Sequence, residues 1–180
     1  MRSRGWRIAL PLSLALLLGV LEKFTFLGTA DAHLVLSIPQ DSESLQYAML
    51  AVTYATEEYV VLPAYFLLGA IKGGRRGLLK PLILLATEAG VLAMKFAFAI
   101  PRPNGDLWGY PSGHSARTFY LALVSEKKRW KWALTAVAIL ACLSRVLLAA
   151  HTITDLAGGA LFAVASSEAV KWLESPRSCR

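Results

Sequence analysis

The chain has 180 residues and a formal net charge of +7, and 56% of its residues are hydrophobic. A soluble domain with this apolar content would be unusual, whereas a single integral membrane domain over residues 1–180 fits both the length and the composition. No basic surface interleaved with aromatic residues is apparent, so the charge does not indicate a nucleic-acid partner. The two cysteines, Cys142 and Cys179, form neither a disulfide framework nor a metal-ligand spacing.

Six apolar segments are candidates for membrane spans, each of which needs about 20 helical residues. The first runs near Ile8–Leu27. A cleaved signal peptide is the alternative there, because Ala30-Asp31-Ala32 resembles a cleavage site. The long stretch between the apolar core and that site favours a retained helix. The other predicted spans are Leu45–Ala70, Leu78–Ile100, the short Ser115–Val124, Trp130–Ala150 and Ile153–Leu173.

Glu57, Glu58 and Glu88 fall inside these apolar runs, where ionisable groups are costly and are usually paired or functional. Glu57 and Glu58 suggest that the second membrane helix starts near them, with Leu45–Thr56 partly outside the bilayer. Glu88 precedes Lys95 by seven residues, about two helical turns, so the two share a helix face. A charge pair inside the bundle, snorkelling, and a functional role for Glu88 all remain open.

Orientation follows from the distribution of Lys and Arg. The connection between the first two spans carries Asp31, Asp41 and Glu43 and no Lys or Arg. Six alternating spans then place both termini in the cytoplasm of a cell-membrane protein. The predicted cytoplasmic side carries Arg2, Arg4, Arg7, Lys72, Arg75, Arg76, Lys80, Lys127, Lys128, Arg129, Lys131, Arg177 and Arg180.

The first candidate motif joins Lys95, near the outer end of the third span, to Arg102 in the following loop. A phosphoryl group spreads its charge over several oxygens, so cations are needed from different directions. Arginine offers a planar fork and lysine a compact point charge. Pro101 and Pro103 stiffen the backbone around Arg102. The alternative is that both cations are snorkelling interface residues.

The second motif is Pro111-Ser112-Gly113-His114, directly before the fourth span. Ser112 is a favourable helix N-cap, and Gly113 lets backbone approach a ligand closely. The free N–H groups of a helix start bind anions, and His114 in that first turn can transfer a proton. The alternative is an ordinary capping turn, with His114 at a hydrated interface. Trp108 and Tyr110 just upstream suit an interfacial aromatic belt.

The third motif places Ser144 and Arg145 at the end of the fifth span and His151 and Asp155 at the start of the sixth. His151 and Asp155 are four residues apart and share a helix face. A carboxylate that accepts from one imidazole nitrogen leaves the other free to attack, and Arg145 can pair with phosphate in a bidentate manner. Thr152–Asp155 also resembles a helix capping box, and Asp155 can cap the helix and orient His151 at the same time.

All three motifs fall at one side of the membrane under the predicted topology, although the loop charges were not used to find them. The sequence therefore predicts an all-α, six-transmembrane helix bundle with its active site at the outer-face ends of helices 3–6. The chain here resembles the type-2 phosphatidic acid phosphatase superfamily, whose motifs it matches in order and spacing. The motif-bearing core covers about 78–173, and the first two spans match only in number and position.

The resemblance implies a metal-independent phosphatase without a cofactor. It makes His151 the nucleophile of a phosphohistidine intermediate, oriented by Asp155. His114 would be the general acid for the leaving group and later the base for water. The residues implied to hold the phosphate oxygens are Lys95, Arg102, Ser112, Gly113 and Arg145.

The expected substrate is a membrane-anchored lipid phosphate or diphosphate. Small stand-alone members of the family favour a polyprenyl diphosphate, with phosphatidic acid or phosphatidylglycerol phosphate as the alternative. Because only Asn104–Tyr110 separates the first two motifs, we expect no capping domain and a pocket open to the outer leaflet. A non-catalytic lipid-binding protein on the same scaffold is the other class. Gly158 and Gly159 indicate close helix packing, and the oligomeric state stays open.

Overall fold

The computed structural model describes residues 5–39 and 42–175, and these ranges fold into helices and connecting turns. The charges predicted to set the topology at Arg2, Arg4, Asp41, Arg177 and Arg180 lie outside the described residues, as does Cys179. The side chains of Lys72, Arg75 and Arg76 are likewise outside the described part. The predicted all-α class is confirmed.

Eight helices make up the described part of the chain. They are α1 (Trp6–Phe24), α2 (Leu27–Leu36), α3 (Glu43–Ala55), α4 (Glu58–Gly77), α5 (Leu79–Phe98), α6 (Gly113–Leu123), α7 (Lys128–Leu147) and α8 (Ile153–Glu174).

Two of the six predicted spans are not single straight helices. The predicted second span, Leu45–Ala70, is two helices, and the second of them begins at Glu58, as the two acidic residues indicated. The first span bends by 82° where α1 meets α2. Within the described ranges, α5, α7 and α8 are long and apolar enough to cross a membrane. The bent α1–α2 pair adds a fourth span if it counts as one. These helices make the chain an integral membrane protein.

The short helix α6 forms the centre of the bundle. It packs against α5, α7 and α8, and α1 covers another face of α8. Eight of its 11 residues are buried. The neighbouring helices instead expose large apolar side chains on their outer faces, including Leu85 and Leu92 on α5 and Ile139 and Leu143 on α7. Outward apolar faces are expected of helices whose surroundings are lipid.

One end of the bundle is held together by ion pairs. Arg7 at the start of α1 lies 3.9 Å from Glu168 near the end of α8. Lys80 at the start of α5 lies 2.5 Å from Glu126 in the α6–α7 connection and 3.7 Å from Glu174. These contacts bring together the helix ends that carry basic residues. The three sequence motifs occupy the opposite ends of α5, α6, α7 and α8.

Tyr110 anchors α1 to the motif-bearing loop. Its hydroxyl donates to the backbone oxygen of Ala15, and its ring meets Phe98 edge-on at a centroid distance of 5.6 Å. The ring is fully buried, so the interpretation of Tyr110 as an interfacial residue is wrong. A Cβ added at Gly158 would collide with this ring. The small residues of α8 therefore serve close packing within the chain.

Candidate active site

The start of α8 presents His151 with one ring nitrogen engaged. Nδ1 of His151 lies 2.9 Å from Oδ2 of Asp155, and both residues are buried. Because the carboxylate accepts, Nδ1 carries the proton and Nε2 keeps its lone pair. Burial lowers the pKa of His151 to about 4, against the raising effect of the Asp155 carboxylate. The imidazole is therefore neutral at physiological pH, with an Nε2 lone pair that is available for nucleophilic attack.

The capping box predicted at the start of α8 is present. The backbone N–H of Asp155 donates to Oγ1 of Thr152 at 3.0 Å, and the backbone N–H of Thr152 donates to Oδ2 of Asp155 at 3.0 Å. One carboxylate oxygen therefore caps the helix and orients His151. This double use fixes the imidazole relative to the helix axis.

Two acidic residues from the first helices support the same turn, a role that was not predicted from the sequence. Asp31 on α2 accepts from the backbone N–H groups of Ile153 and Thr154, at 3.2 and 2.7 Å. Glu22 on α1 accepts from the hydroxyl of Thr152 at 3.1 Å. Both carboxyls are buried. Glu22 lies inside the first predicted span, and an acid there was the signal that could have revealed it.

The second motif forms the start of α6. Ser112 is its N-cap residue, as predicted, but its side chain makes no capping hydrogen bond. Its Oγ is buried without a hydrogen-bond partner. Ser115 donates to the backbone oxygen of Leu156 at 2.6 Å, and a Cβ at Gly159 would collide with the backbone oxygen of Ser112. The motif is therefore pressed directly onto α8.

His114 contacts the segment where α3 ends and α4 begins. Its Nε2 lies 3.3 Å from the backbone oxygen of Thr53 and 3.5 Å from Oε1 of Glu57. A carbonyl oxygen only accepts, so Nε2 is the protonated nitrogen in the neutral ring. Nδ1 is then the nitrogen that can exchange a proton with a substrate.

The predicted cations converge on these histidines. Lys95 donates to the backbone oxygens of Trp108 and Gly109 at 2.6 and 3.2 Å. It also lies within electrostatic range of Arg102, Arg145 and Asp155.

Two guanidinium groups complete the set. Arg145 donates to Oγ1 of Thr53 at 3.4 Å, and His114 and His151 are both within its electrostatic range. Arg102 lies 3.8 Å from Asp106. The Nε atoms of Arg102 and Arg145 are buried without partners. Together with Ser112 Oγ they are unused donors, which an anion would satisfy.

A family model described as the PAP2 superfamily matches residues 77–178, more than half of the chain. The chain belongs to the PAP2 superfamily. This confirms the predicted family and the enzyme class, a phosphatase that hydrolyses phosphoric esters. No curated protein sequence matches the chain significantly.

The fold is similar to a solved PAP2 structure. That structure is described as the first transmembrane PAP2 type phosphatidylglycerolphosphate phosphatase from Bacillus subtilis. The TM-score is 0.80 at 20% sequence identity, and the match covers 94% of this chain and 96% of that chain. At this identity the match establishes the fold, including the helices that precede the PAP2 motifs.

The PAP2 chain also contains a buried ion cluster centred on Arg117 of α6. Its Nε lies 2.9 Å from Glu88, its Nη2 lies 2.5 Å from Glu58, and its Nη1 lies 3.6 Å from Glu57. Nη1 also donates to the backbone oxygen of Thr56 at 2.8 Å. Glu88 therefore pairs with Arg117, and within the described residues it forms no direct ion pair with Lys95. Arg117 was not predicted, although it lies inside the fourth predicted span, where a charge calls for a partner.

The catalytic candidates of this PAP2 chain are enclosed. His114, Arg145, His151 and Asp155 are each less than a tenth exposed, which differs from the open pocket expected from the short Asn104–Tyr110 loop. The enclosure comes from α2 and α3, because α2 supplies Asp31 and α3 supplies Thr53 to contacts at the site. A surface cavity of about 510 Å³ adjoins the motif loops and is lined by residues 36–39, Asn104, Leu148 and Ala149.

Proposed function

We propose that this PAP2 protein hydrolyses the phosphate of a membrane-anchored lipid by way of a phosphohistidine on His151. The observation that carries the proposal is the His151–Asp155 pair, 2.9 Å apart and buried. It lies within electrostatic range of two cations from other helix ends, Lys95 and Arg145. A buried neutral imidazole next to unused cationic donors suits attack on a phosphate monoester or diphosphate.

The proposed reaction has two displacements. In the first, Nε2 of His151 bonds to phosphorus as the bond from phosphorus to the leaving oxygen breaks, and that oxygen takes a proton from Nδ1 of His114. In the second displacement, the oxygen of a water molecule bonds to phosphorus as the bond from phosphorus to Nε2 of His151 breaks. A proton of that water passes to Nδ1 of His114. Phosphate and a dephosphorylated lipid are the products, and both histidines return to their starting states.

Each remaining motif residue has a proposed place in this scheme. Lys95, Arg102 and Arg145 neutralise the charge that builds up on the equatorial phosphate oxygens. Ser112 Oγ and the N–H groups at the start of α6 donate to the same oxygens. Gly113 keeps that helix start free of a Cβ. The chain thus has three basic side chains and one helix N-terminus available to stabilise the transition state.

The proposed location is the outer face of the cell membrane. The motif-bearing helix ends lie opposite the ion-paired end that holds Arg7 and Lys80. Basic residues favour the cytoplasmic side, so the site would face outward, with six spans and both termini in the cytoplasm. A substrate tail would stay in the bilayer while the head group reaches the motif loops.

The substrate we propose first is a polyprenyl diphosphate, the lipid that the family resemblance leads us to expect. Phosphatidylglycerol phosphate is the second candidate, because the similar structure from Bacillus subtilis is described as a phosphatase of that lipid. Both substrates present a phosphate monoester or a terminal phosphate to the same donors. The lipid part would distinguish them.

A panel assay tests the proposal. Purified protein in detergent is given polyprenyl diphosphate, phosphatidylglycerol phosphate and phosphatidic acid at equal surface concentration, and released phosphate is measured. Turnover of at least one lipid that is inhibited by vanadate and unaffected by a chelator supports the proposal. Strong sensitivity to chelator would refute the metal-independent scheme. Absence of release from every lipid would favour the alternative of a non-catalytic lipid-binding protein.

A further inference from the structure

Glu57 occupies the break between α3 and α4, a position that none of the three motifs includes. One carboxylate oxygen lies 3.5 Å from Nε2 of His114. The other lies 3.6 Å from Nη1 of Arg117, and the side chain of Arg117 is 3% exposed. The side chain of Glu57 is 22% exposed, so solvent screens this contact less than a surface pair. The carboxylate therefore joins the imidazole of the second motif to the buried ion cluster.

We propose that Glu57 is a positioning residue for His114 in the reaction, holding the ring with Nδ1 towards the leaving group and favouring its protonated form. The inference rests on the proposed function, in which His114 is the general acid. It assigns to His114 a partner comparable to the one that Asp155 provides for His151. The two histidines would then each have a carboxylate behind the nitrogen that does not react.

The geometry fits the proton balance of an acid. As an imidazolium, His114 donates from Nε2 to the Thr53 backbone oxygen and to Glu57, and holds a second proton on Nδ1. Transfer of that second proton to the leaving oxygen leaves the neutral ring with its proton still on Nε2. This balance leaves the protonation state of Glu57 unchanged, so no proton has to move through the cluster.

The charges around His114 show why a carboxylate matters there. Burial is the largest factor that lowers the pKa of His114, and Arg145 on α7, Arg117 on the same helix and His151 before α8 also oppose a positive charge on the ring. Glu57 is the carboxylate that contacts the ring within the described part of the chain. Its charge offsets repulsion from cations that are needed for phosphate binding and for folding. Glu57 and the backbone oxygen of Thr53 are thus the two groups in contact with Nε2 that favour the acid form of His114.

Glu58 provides a matched control for this role. It is the next residue, and it also pairs with Arg117, at 2.5 Å. Among the contacts of the described residues, none joins Glu58 to His114, and the Glu58 side chain is 53% exposed. Replacing either glutamate with glutamine removes one carboxylate from the Arg117 cluster, but only Glu57→Gln removes the negative charge in contact with the imidazole.

The test compares substrates that differ in their need for an acid. A lipid phosphate has a poor leaving group, whereas p-nitrophenyl phosphate releases a stable phenolate without protonation. Glu57→Gln should lower kcat on the lipid about 30-fold, less than the roughly 10²–10⁴-fold that the acid itself typically contributes, and change kcat on the aryl ester less than about threefold. The basic limb of the kcat–pH profile on the lipid should also move to lower pH. Glu58→Gln should change each quantity less than about threefold.

Several outcomes would overturn the assignment. Equal losses on the two substrates, an unmoved pH profile, or a Glu58→Gln variant as impaired as Glu57→Gln would each mean that Glu57 acts only through the fold. If Glu57→Gln does not fold, Glu57→Asp is measured over a series of aryl phosphates. A dependence of rate on leaving-group pKa as shallow as in wild type would then refute the role. Inactivity of the wild-type protein on every lipid would instead refute the proposed function.

Discussion

The backbone N–H of Ser112 donates to the backbone oxygen of Asp155 at 2.9 Å. This bond ties the residue that caps α6 to the residue that orients His151. The bond joins the start of α6 to the start of α8, so it holds the N–H groups proposed to bind the anion in position relative to the proposed nucleophile, His151. Preorganisation of this kind lets donors stabilise a transition state without rearranging during the reaction.

Replacement of His151 tests the nucleophile. His151→Ala should reduce phosphate release about 10⁴-fold or more, because no other group in the scheme forms the covalent intermediate. Membrane insertion should stay intact, and the melting temperature in detergent should fall only as far as the lost packing and the lost hydrogen bond to Asp155 require. Turnover retained within about tenfold, in a variant verified by mass spectrometry, would contradict the phosphohistidine route.

His151 should also make stability depend on pH. Its pKa in the folded protein is lowered to about 4, whereas an unfolded histidine titrates near 6.5. The unfolded chain therefore binds the proton more readily, and stability falls as pH decreases from about 6.5 to about 4. Melting temperatures of wild type and His151→Gln across this range measure the effect. The variant should show the shallower decline, and parallel curves would show that His151 does not contribute.

Arg117 should be a main determinant of stability. Arg117→Ala leaves the carboxyls of Glu88 and Glu57 partly buried without their cation, which typically costs about 3–5 kcal/mol. A fall of many degrees in melting temperature and a loss of folded yield are expected. Arg129→Ala removes an exposed arginine and should change stability by less than about 0.5 kcal/mol. Similar melting temperatures for both variants would refute the structural role of the cluster.

Gly159 should be intolerant of a methyl group. An added Cβ would collide with the backbone oxygen of Ser112 and approach Ser115 Cβ at 2.9 Å. Gly159→Ala should therefore destabilise the protein by about 1–3 kcal/mol and reduce activity by displacing the start of α6. Gly73→Ala is the control, because a Cβ there meets nothing within 4 Å. The control should be neutral or slightly stabilising, since alanine favours helix.

Cysteine labelling tests the orientation. Leu107 lies in the motif loop and is 63% exposed, and Trp130 lies at the opposite end of the bundle and is 54% exposed. In a background without Cys142 and Cys179, Leu107→Cys should react with an impermeant thiol reagent in intact cells. Trp130→Cys should react only after permeabilisation. The reverse pattern would place the site in the cytoplasm.

Local patterns in the amino-acid order were enough to predict the helical class and the set of motif residues. Apolar runs predict helices because a backbone in lipid must satisfy its own hydrogen bonds. His151 and Asp155 could be paired from their spacing, because residues four apart on a helix lie on one face. The capping box at Thr152 was readable for the same reason. These relationships join near neighbours in the chain, and helical periodicity encodes them.

The distant residues that complete the site were selected by the packing of the helices. Asp31 caps α8 from 123 positions away, and Glu57 reaches His114 across a break between two helices. No spacing rule relates such residues, because their contact depends on how α2, α3 and α4 fold back over the bundle. A charge buried in an apolar segment requires a partner, but the segment does not specify which one. The three-dimensional arrangement of the helices made that choice.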